Sequence, residues 1–255
     1  MAKAPERASV LGPAFIRQLT RLTDVDVPHT TRVPTLTERL SQWFDWNRAV
    51  ALSRALDGQP SVAAGEPIPA ADAQRQDCTR VRGALSEAIR ADREFAAPAA
   101  VQDLPAPPDS IAMPAEADFS RLRRRYLDHQ RAMQAATGRL RGQLRDMLAR
   151  QSEQQARLAE VDAVMELTLS AREQTLLATV PNLLNAHFER LRDAAQQAFT
   201  ASDETPDVPA AASGAWLAVV RNDMQRLLLA ELDVRFQPIE ALLAALRPQS
   251  PGSHV

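Results

Sequence analysis

The densest chemistry in this chain is cationic. Arg121, Arg123, Arg124 and Arg125, followed by Arg131, put five guanidinium groups into eleven residues. A guanidinium is a planar fork of N–H donors that matches the oxygens of phosphate and carboxylate. The spacing therefore points either to phosphate neutralisation on a nucleic acid or to ion pairing with a protein. These arginines spread over several outward positions of a helix rather than forming one stripe, and Tyr126 is the one aromatic among them. The whole chain carries a net charge of −2. Protein contact is the first reading, and an Arg-mediated nucleic-acid contact is the alternative.

Other reactive residue types do not assemble. The four histidines, His29, His129, His187 and His254, are dispersed, and Cys78 is the only cysteine. Metal sites need ligands clustered at short spacing, so no metal is expected. There is no G-x-S-x-G elbow, and the eight glycines form no phosphate-cradling loop. Cys78 falls at a core-like helical position and reads as a small buried hydrophobe. The expectation is a non-enzymatic protein without a cofactor.

Helices must position whatever these residues do. Gly is scarce (8) and Pro common (18), with most prolines gathered in a few stretches. Long helices separated by stiff linkers fit that composition, whereas sheets need more glycine turns and more β-branched residues. A first helix starts at Pro13, with Phe15, Ile16, Leu19 and Leu22 on one face. After a loop at 27–34, Thr35 and Glu38 form a capping box, and Asp57-Gly58-Gln59-Pro60 stops that second helix. Its apolar face is Leu36, Leu40, Trp43, Phe44 and Leu56, extended by Trp46. Residues 61–71 are a Pro/Ala linker, and a third helix over 72–95 places Cys78, Val81, Leu85 and Ile89 at helical spacing.

Residues 96–117 hold five prolines and read as an extended, mobile linker between an N-terminal helical region, 1–95, and a C-terminal region, 118–247. From there an apolar seam alternates steps of three and four. It runs Phe119, Leu122, Tyr126, His129, Met133, Ala136, Leu140, and after one step of four Leu144, Met147, Gln151, Gln154, Leu158, Val161, Met165. Such a stripe is the mark of a coiled-coil seam, and the shift at Leu140–Leu144 resembles a stutter. His129 reads as a polar register residue in it rather than a pH switch. One straight helix over 119–165 would be about 70 Å long, so the molecule is elongated or this segment breaks. Ser170 and Glu173 suggest a further helix start, with Leu176, Leu177, Val180, Leu184, Phe188, Leu191 and Phe199 inward to about 201 and Pro181 as a kink. After a linker at 202–213, a last helix over 215–246 turns Trp216, Val220, Leu227, Leu232, Phe236, Ile239, Leu243 and Leu246 inward, bends at Pro238, and leaves a disordered tail at 248–255.

Charge is segregated along this pattern. Residues 119–157 carry ten arginines against Asp128, Asp146 and Glu153, while 158–205 are net acidic. A parallel self-pair would bring like charges together, so the basic and acidic stretches are expected to pair antiparallel, within one chain or between two. The fold expected is all-α, an elongated helical bundle with a long coiled-coil-like helical hairpin and Pro-rich linkers. Its protein-binding seam is Phe119, Leu122, Tyr126, His129, Met133, Leu140, Leu144, Met147, Leu158, Val161 and Met165. No run approaches the length needed to span a bilayer, and residues 1–8 are too polar for a signal peptide, so a cytoplasmic chain with no direct membrane insertion is expected.

Two stretches carry a family resemblance. Ser9-Val10-Leu11-Gly12-Pro13 through Leu40-Ser41-Gln42-Trp43-Phe44-Asp45-Trp46, and Leu229-Ala230-Glu231-Leu232-Asp233-Val234-Arg235-Phe236-Gln237-Pro238-Ile239-Glu240, resemble an uncharacterised domain family of Gram-negative bacteria. The family has no assigned activity, so the resemblance transfers no catalytic residue. It implies that members are encoded beside membrane proteins related to proton-channel motor or stator complexes. That places an accessory protein in the cytoplasm, peripheral to the inner membrane through a partner. Together these readings make the chain a helical scaffold or adaptor that binds protein partners or itself.

Overall fold

The structure, a computed structural model, describes residues 14–23, 35, 38, 42–58, 71–95, 119–201 and 215–247. Among these the regular structure is α-helix throughout, as the all-α reading requires. The helices are α1 (Ala14–Thr23), α2 (Trp46–Asp57), α3 (Ala71–Arg90), α4 (Phe119–Leu148), α5 (Glu153–Leu177), α6 (Val180–Ala201) and α7 (Ala215–Ala245). The loop at 27–34, the linkers at 96–117 and 202–213 and the tail at 248–255 lie outside the described residues, as does the linker expected at 61–71 except for Ala71, which begins α3.

Local hydrogen bonding explains where helices start, and it corrects several expected boundaries. The Thr35–Glu38 box forms: Thr35 N–H donates to Glu38 Oε2 at 2.7 Å, and Glu38 N–H to Thr35 Oγ1 at 3.2 Å. No unbroken helix follows to Asp57, however. Phe44 and Asp45 leave the helix, and Asp45 Oδ1 accepts the Arg48 N–H at 2.8 Å to start α2 anew. A short carboxylate competes for backbone donors in this way at many helix starts. Helix α3 ends at Arg90, not Phe95, because Asp92 organises a turn. Its carbonyl accepts Phe95 N–H at 3.1 Å and its Oδ1 accepts Glu94 N–H at 3.0 Å.

The long seam is broken as well. Residues 149–152 form a turn, and Ser152 Oγ accepts the Gln155 N–H at 3.3 Å to cap α5. The step from Leu140 to Leu144 stays inside α4. Ser170 and Glu173 start no helix, since both lie within α5. The next start is Val180, after a turn at 178–179. Pro181 thus sits in the first turn of α6, where its missing N–H has no helical partner to lose, and it is no interior kink. Pro238 does lie inside α7.

With glycine scarce, helix C-termini find other partners for their last carbonyls. Among the described helices only α2 is followed by a glycine, Gly58, and its φ of −68° is not left-handed. It is required by close approach, since a Cβ there would lie 2.5 Å from the Arg54 carbonyl oxygen. Elsewhere long polar side chains of other helices reach over. Arg190 donates to the Leu22 and Thr23 carbonyls ending α1, and Gln225 Nε2 to the Ile89 and Arg90 carbonyls ending α3, at 3.2 Å each. Gln130 Nε2 reaches the Leu177 carbonyl of α5 at 3.4 Å, and Gln155 Nε2 the Ala245 carbonyl of α7 at 2.9 Å.

The described helices gather into two compact units, each assembled from three separated segments. The first unit comprises Met1–Val27, Ile89–Leu127 and Pro181–Val234; the second comprises Pro28–Ala88, Asp128–Val180 and Arg235–Val255. The compact units are therefore not consecutive stretches of the chain. Within the first unit an aromatic row fills the core. The Phe119 and Phe188 rings are 5.3 Å apart between centroids, and Phe188 meets Trp216 edge-on at 5.1 Å. The buried Tyr126 hydroxyl donates to the buried Glu231 carboxylate at 3.2 Å. Within the second unit the core is mainly aliphatic, with Met133, Leu140, Leu144 and Leu148 of α4 and Ile239 and Leu242 of α7, joined by Cys78 and Phe236.

Candidate protein-docking surface

The expected binding seam divides at the turn before Ser152. Phe119, Leu122, Tyr126, Met133, Leu140, Leu144 and Met147 are all buried within the single chain, and His129 is half-buried. Their seam is internal core in this structure. From the turn onward the pattern fails: Gln151 in the turn and Gln154 after it are exposed, Leu158 is 40% exposed, and Val161 and Met165 are half-buried. The polar patch at Gln151 and Gln154 marks the corner itself.

Small residues decide what α5 buries instead. Its buried side chains are Ala156, Ala159 and Thr168, and the one buried in α2 is Ala55. These two helices pack against each other in the second unit. Arg48 Nη1 near the start of α2 donates to the Thr168 carbonyl at 3.2 Å, and Arg157 Nη2 near the start of α5 donates to the Gly58 carbonyl at 2.9 Å. The helices therefore run antiparallel. Where small side chains are the ones buried, backbones can approach closely and large side chains are left outward.

That is where the large apolar groups lie. Trp46 is 81% exposed, Leu167 69%, Leu176 59% and Leu56 50%. Trp43 is half-buried, with the Arg172 guanidinium 4.9 Å from its ring centroid. A cation over a tryptophan face holds the ring by electrostatic attraction to its quadrupole. The register set by Arg48 and Arg172 places the Trp43–Trp46 corner alongside residues 168–172 of α5. Leu167 and the Arg172 contact escape the sequence reading because the heptad phase carried across 149–152 assigns other residues to the seam, and Leu176, expected inward, is exposed instead. The one available signal was Ser152 followed by Gln155, an S-x-x-Q capping box.

The segregated charges meet within the chain. Arg141 donates through Nε and Nη2 to the two Asp162 oxygens at 2.8 and 2.7 Å. Arg145 Nη1 donates to Asp162 at 3.3 Å and also to Glu166. All four side chains are less than one third exposed, which shields the network from solvent. Burial by itself pulls the Arg141 guanidinium down. The hydrogen bond and charge of Asp162, with the charges of Glu166 and Glu173, outweigh it and raise the group above its usual value.

The arginine cluster separates by ion-pair partner. In the first unit Arg121 pairs with Glu94 at 2.8 Å and Arg125 with Asp92 at 2.7 Å. In the second unit Arg131 pairs with Asp128 at 3.1 Å. Arg123 and Arg124 are exposed and have no ion-pair partner among the described residues. Cys78 is buried as expected; burial first, then the Asp77 charge, pushes its thiol up, against a hydrogen bond to Gln74. Among the described residues no group of three or more His, Cys, Asp or Glu could hold a metal ion, and no helix is long and apolar enough to cross a membrane.

The chain belongs to the family described as protein of unknown function DUF3348, whose model matches residues 1–248. No curated protein and no solved structure matches it.

Proposed function

We propose that this member of an uncharacterised family is a non-enzymatic helical scaffold or adaptor that binds protein through the outer face of α2 and α5. One observation carries the reading. Trp46, Leu56, Leu158, Leu167 and Leu176 are exposed large apolar side chains, and all five belong to these two helices. Apolar exposure of this kind on neighbouring helices is the usual composition of an interaction surface. Exposed tryptophan is the residue type most often found to dominate such contacts. A second copy of the chain is the first occupant to test, and a helix of another protein is the other. On this reading the chain acts in the cytoplasm and reaches a membrane-associated complex only through a partner, as the family resemblance implies.

The test compares wild type with Trp46→Ala and Leu167→Asp by light scattering across a concentration series, then by capture from the native host. Both changes lie on the surface and should leave thermal unfolding nearly unmoved. Loss of self-association or of a captured partner in both variants is the expected result. A wild type that stays monomeric and captures the same proteins as both variants would overturn the proposal.

A further inference from the structure

We propose that the first unit carries a binding site for the phosphate backbone of double-stranded nucleic acid, built where the end of α3, the start of α4 and the middle of α7 converge. The convergence is set by named contacts. Gln225 of α7 donates to the Ile89 and Arg90 carbonyls, while Arg121 and Arg125 of α4 bind Glu94 and Asp92 in the turn after α3. Residues 89–95, 119–127 and 224–228 together contain seven arginines and two acids, five positive charges net on a chain whose total is −2. The two acids are occupied by Arg121 and Arg125. The remaining five, Arg90, Arg93, Arg123, Arg124 and Arg226, are exposed and have no ion-pair partner among the described residues.

The turn that carries Arg93 is fixed. The Asp92 side chain is 2% exposed and accepts from Arg125 Nε at 3.0 Å and Nη2 at 2.7 Å. A buried carboxylate in that geometry locks the turn bearing Arg93 onto α4. Guanidinium groups held apart on a rigid base are suited to bridging successive phosphates. Among the side chains described in this unit, the exposed large apolar ones are Ile16 and Val219, neither of them aromatic. Single strands are gripped by aromatic stacking platforms, and membrane surfaces by inserted aromatic or leucine side chains. A duplex backbone needs neither. Sequence reading singled out Arg121, Arg123, Arg124, Arg125 and Arg131; tertiary structure withdraws Arg131 to the other unit and brings in Arg90, Arg93 and Arg226.

The experiment measures fluorescence anisotropy of a labelled random-sequence DNA duplex of about 30 base pairs against the full chain at 50 and 200 mM salt. With about four phosphates neutralised, the fourfold rise in salt should weaken binding on the order of 100-fold. The triple variant Arg123→Gln, Arg124→Gln, Arg226→Gln should reduce the log–log salt slope by about three. Arg139→Gln, an exposed arginine of α4 in the second unit, should leave it unchanged. No binding at 50 mM salt, equal binding by the triple variant, or binding to phosphatidylglycerol vesicles without binding to the duplex would each overturn the proposal. Because the protein-docking variants lie in the other unit, failure of either proposal leaves the other standing.

Discussion

In α4 the stripe that includes Met133, Leu140 and Leu144 is closed off from solvent, while in α5 Leu158, Leu167 and Leu176 stand open to it. Both helices are rich in leucine, and both fall under the apolar spacing that runs from Phe119 to Met165. What differs is the neighbour. The stripe of α4 meets large side chains and becomes core. Helix α5 packs against α2, and the side chains the two helices bury are Ala156, Ala159, Thr168 and Ala55, while Leu158, Leu167 and Leu176 stay outside. Spacing identifies a face that is able to pack, but not the residues that will be chosen to pack it.

The sharpest way to break this contrast is to truncate one leucine from each side of the turn. Leu144→Ala should cost about 2–5 kcal/mol, the range for a buried leucine in a well-packed site. Leu158→Ala, at 40% exposure, should cost less than about 1 kcal/mol. Urea unfolding of both variants checks this, and similar losses would mean that the two stripes are equally core. A middle-sized effect is expected between the helices. Asp162→Asn removes the shared acceptor of Arg141 and Arg145 and should destabilise by about 1–3 kcal/mol, as loss of a charged, part-buried hydrogen-bond partner does. Raising salt should change that difference little, because the pair is shielded; a difference that vanishes in salt would make it a surface pair. The smallest effect belongs to the corner. Ser152→Ala removes the cap that starts α5 and should cost about 1 kcal/mol by the same measurement, with Ser170→Ala near zero.

Much of the fold was legible without coordinates. The capping box at Thr35 and Glu38, the ends of the last helix and the inward face through Trp216, Val220, Leu227 and Phe236 all follow from local rules, since caps and helical spacing act over a few residues. The failures also have local causes. Asp45 and Ser152 each offered a side-chain oxygen to the backbone ahead of them, and each ended a helix that apolar spacing alone would have continued. Pro181 reads as a kink although Thr179 before it also fits a helix start, and the Thr179 hydroxyl donates to the Leu176 carbonyl at 2.7 Å, toward the end of α5. The candidate surfaces were less legible. Arg123 and Arg124 were found by density, but Arg90, Arg93 and Arg226 are isolated in sequence and gain company only when α3 and α7 are brought to α4.

By itself the sequence determined the helices, the buried face of α4 and α7, the burial of Cys78 and the segregation of charge into a basic and an acidic stretch. These depend on spacing, composition and capping, which are properties of neighbouring residues. Tertiary structure alone decided that Arg141 and Arg145 meet Asp162 and Glu166 within one chain, and that among the described residues Arg121 and Arg125 have ion-pair partners while Arg123 and Arg124 have none. It also decided that Trp46 stands in solvent beside a tryptophan held by Arg172. A carboxylate or an alanine chooses its partner by position in space, and that position depends on residues dozens to hundreds of places away.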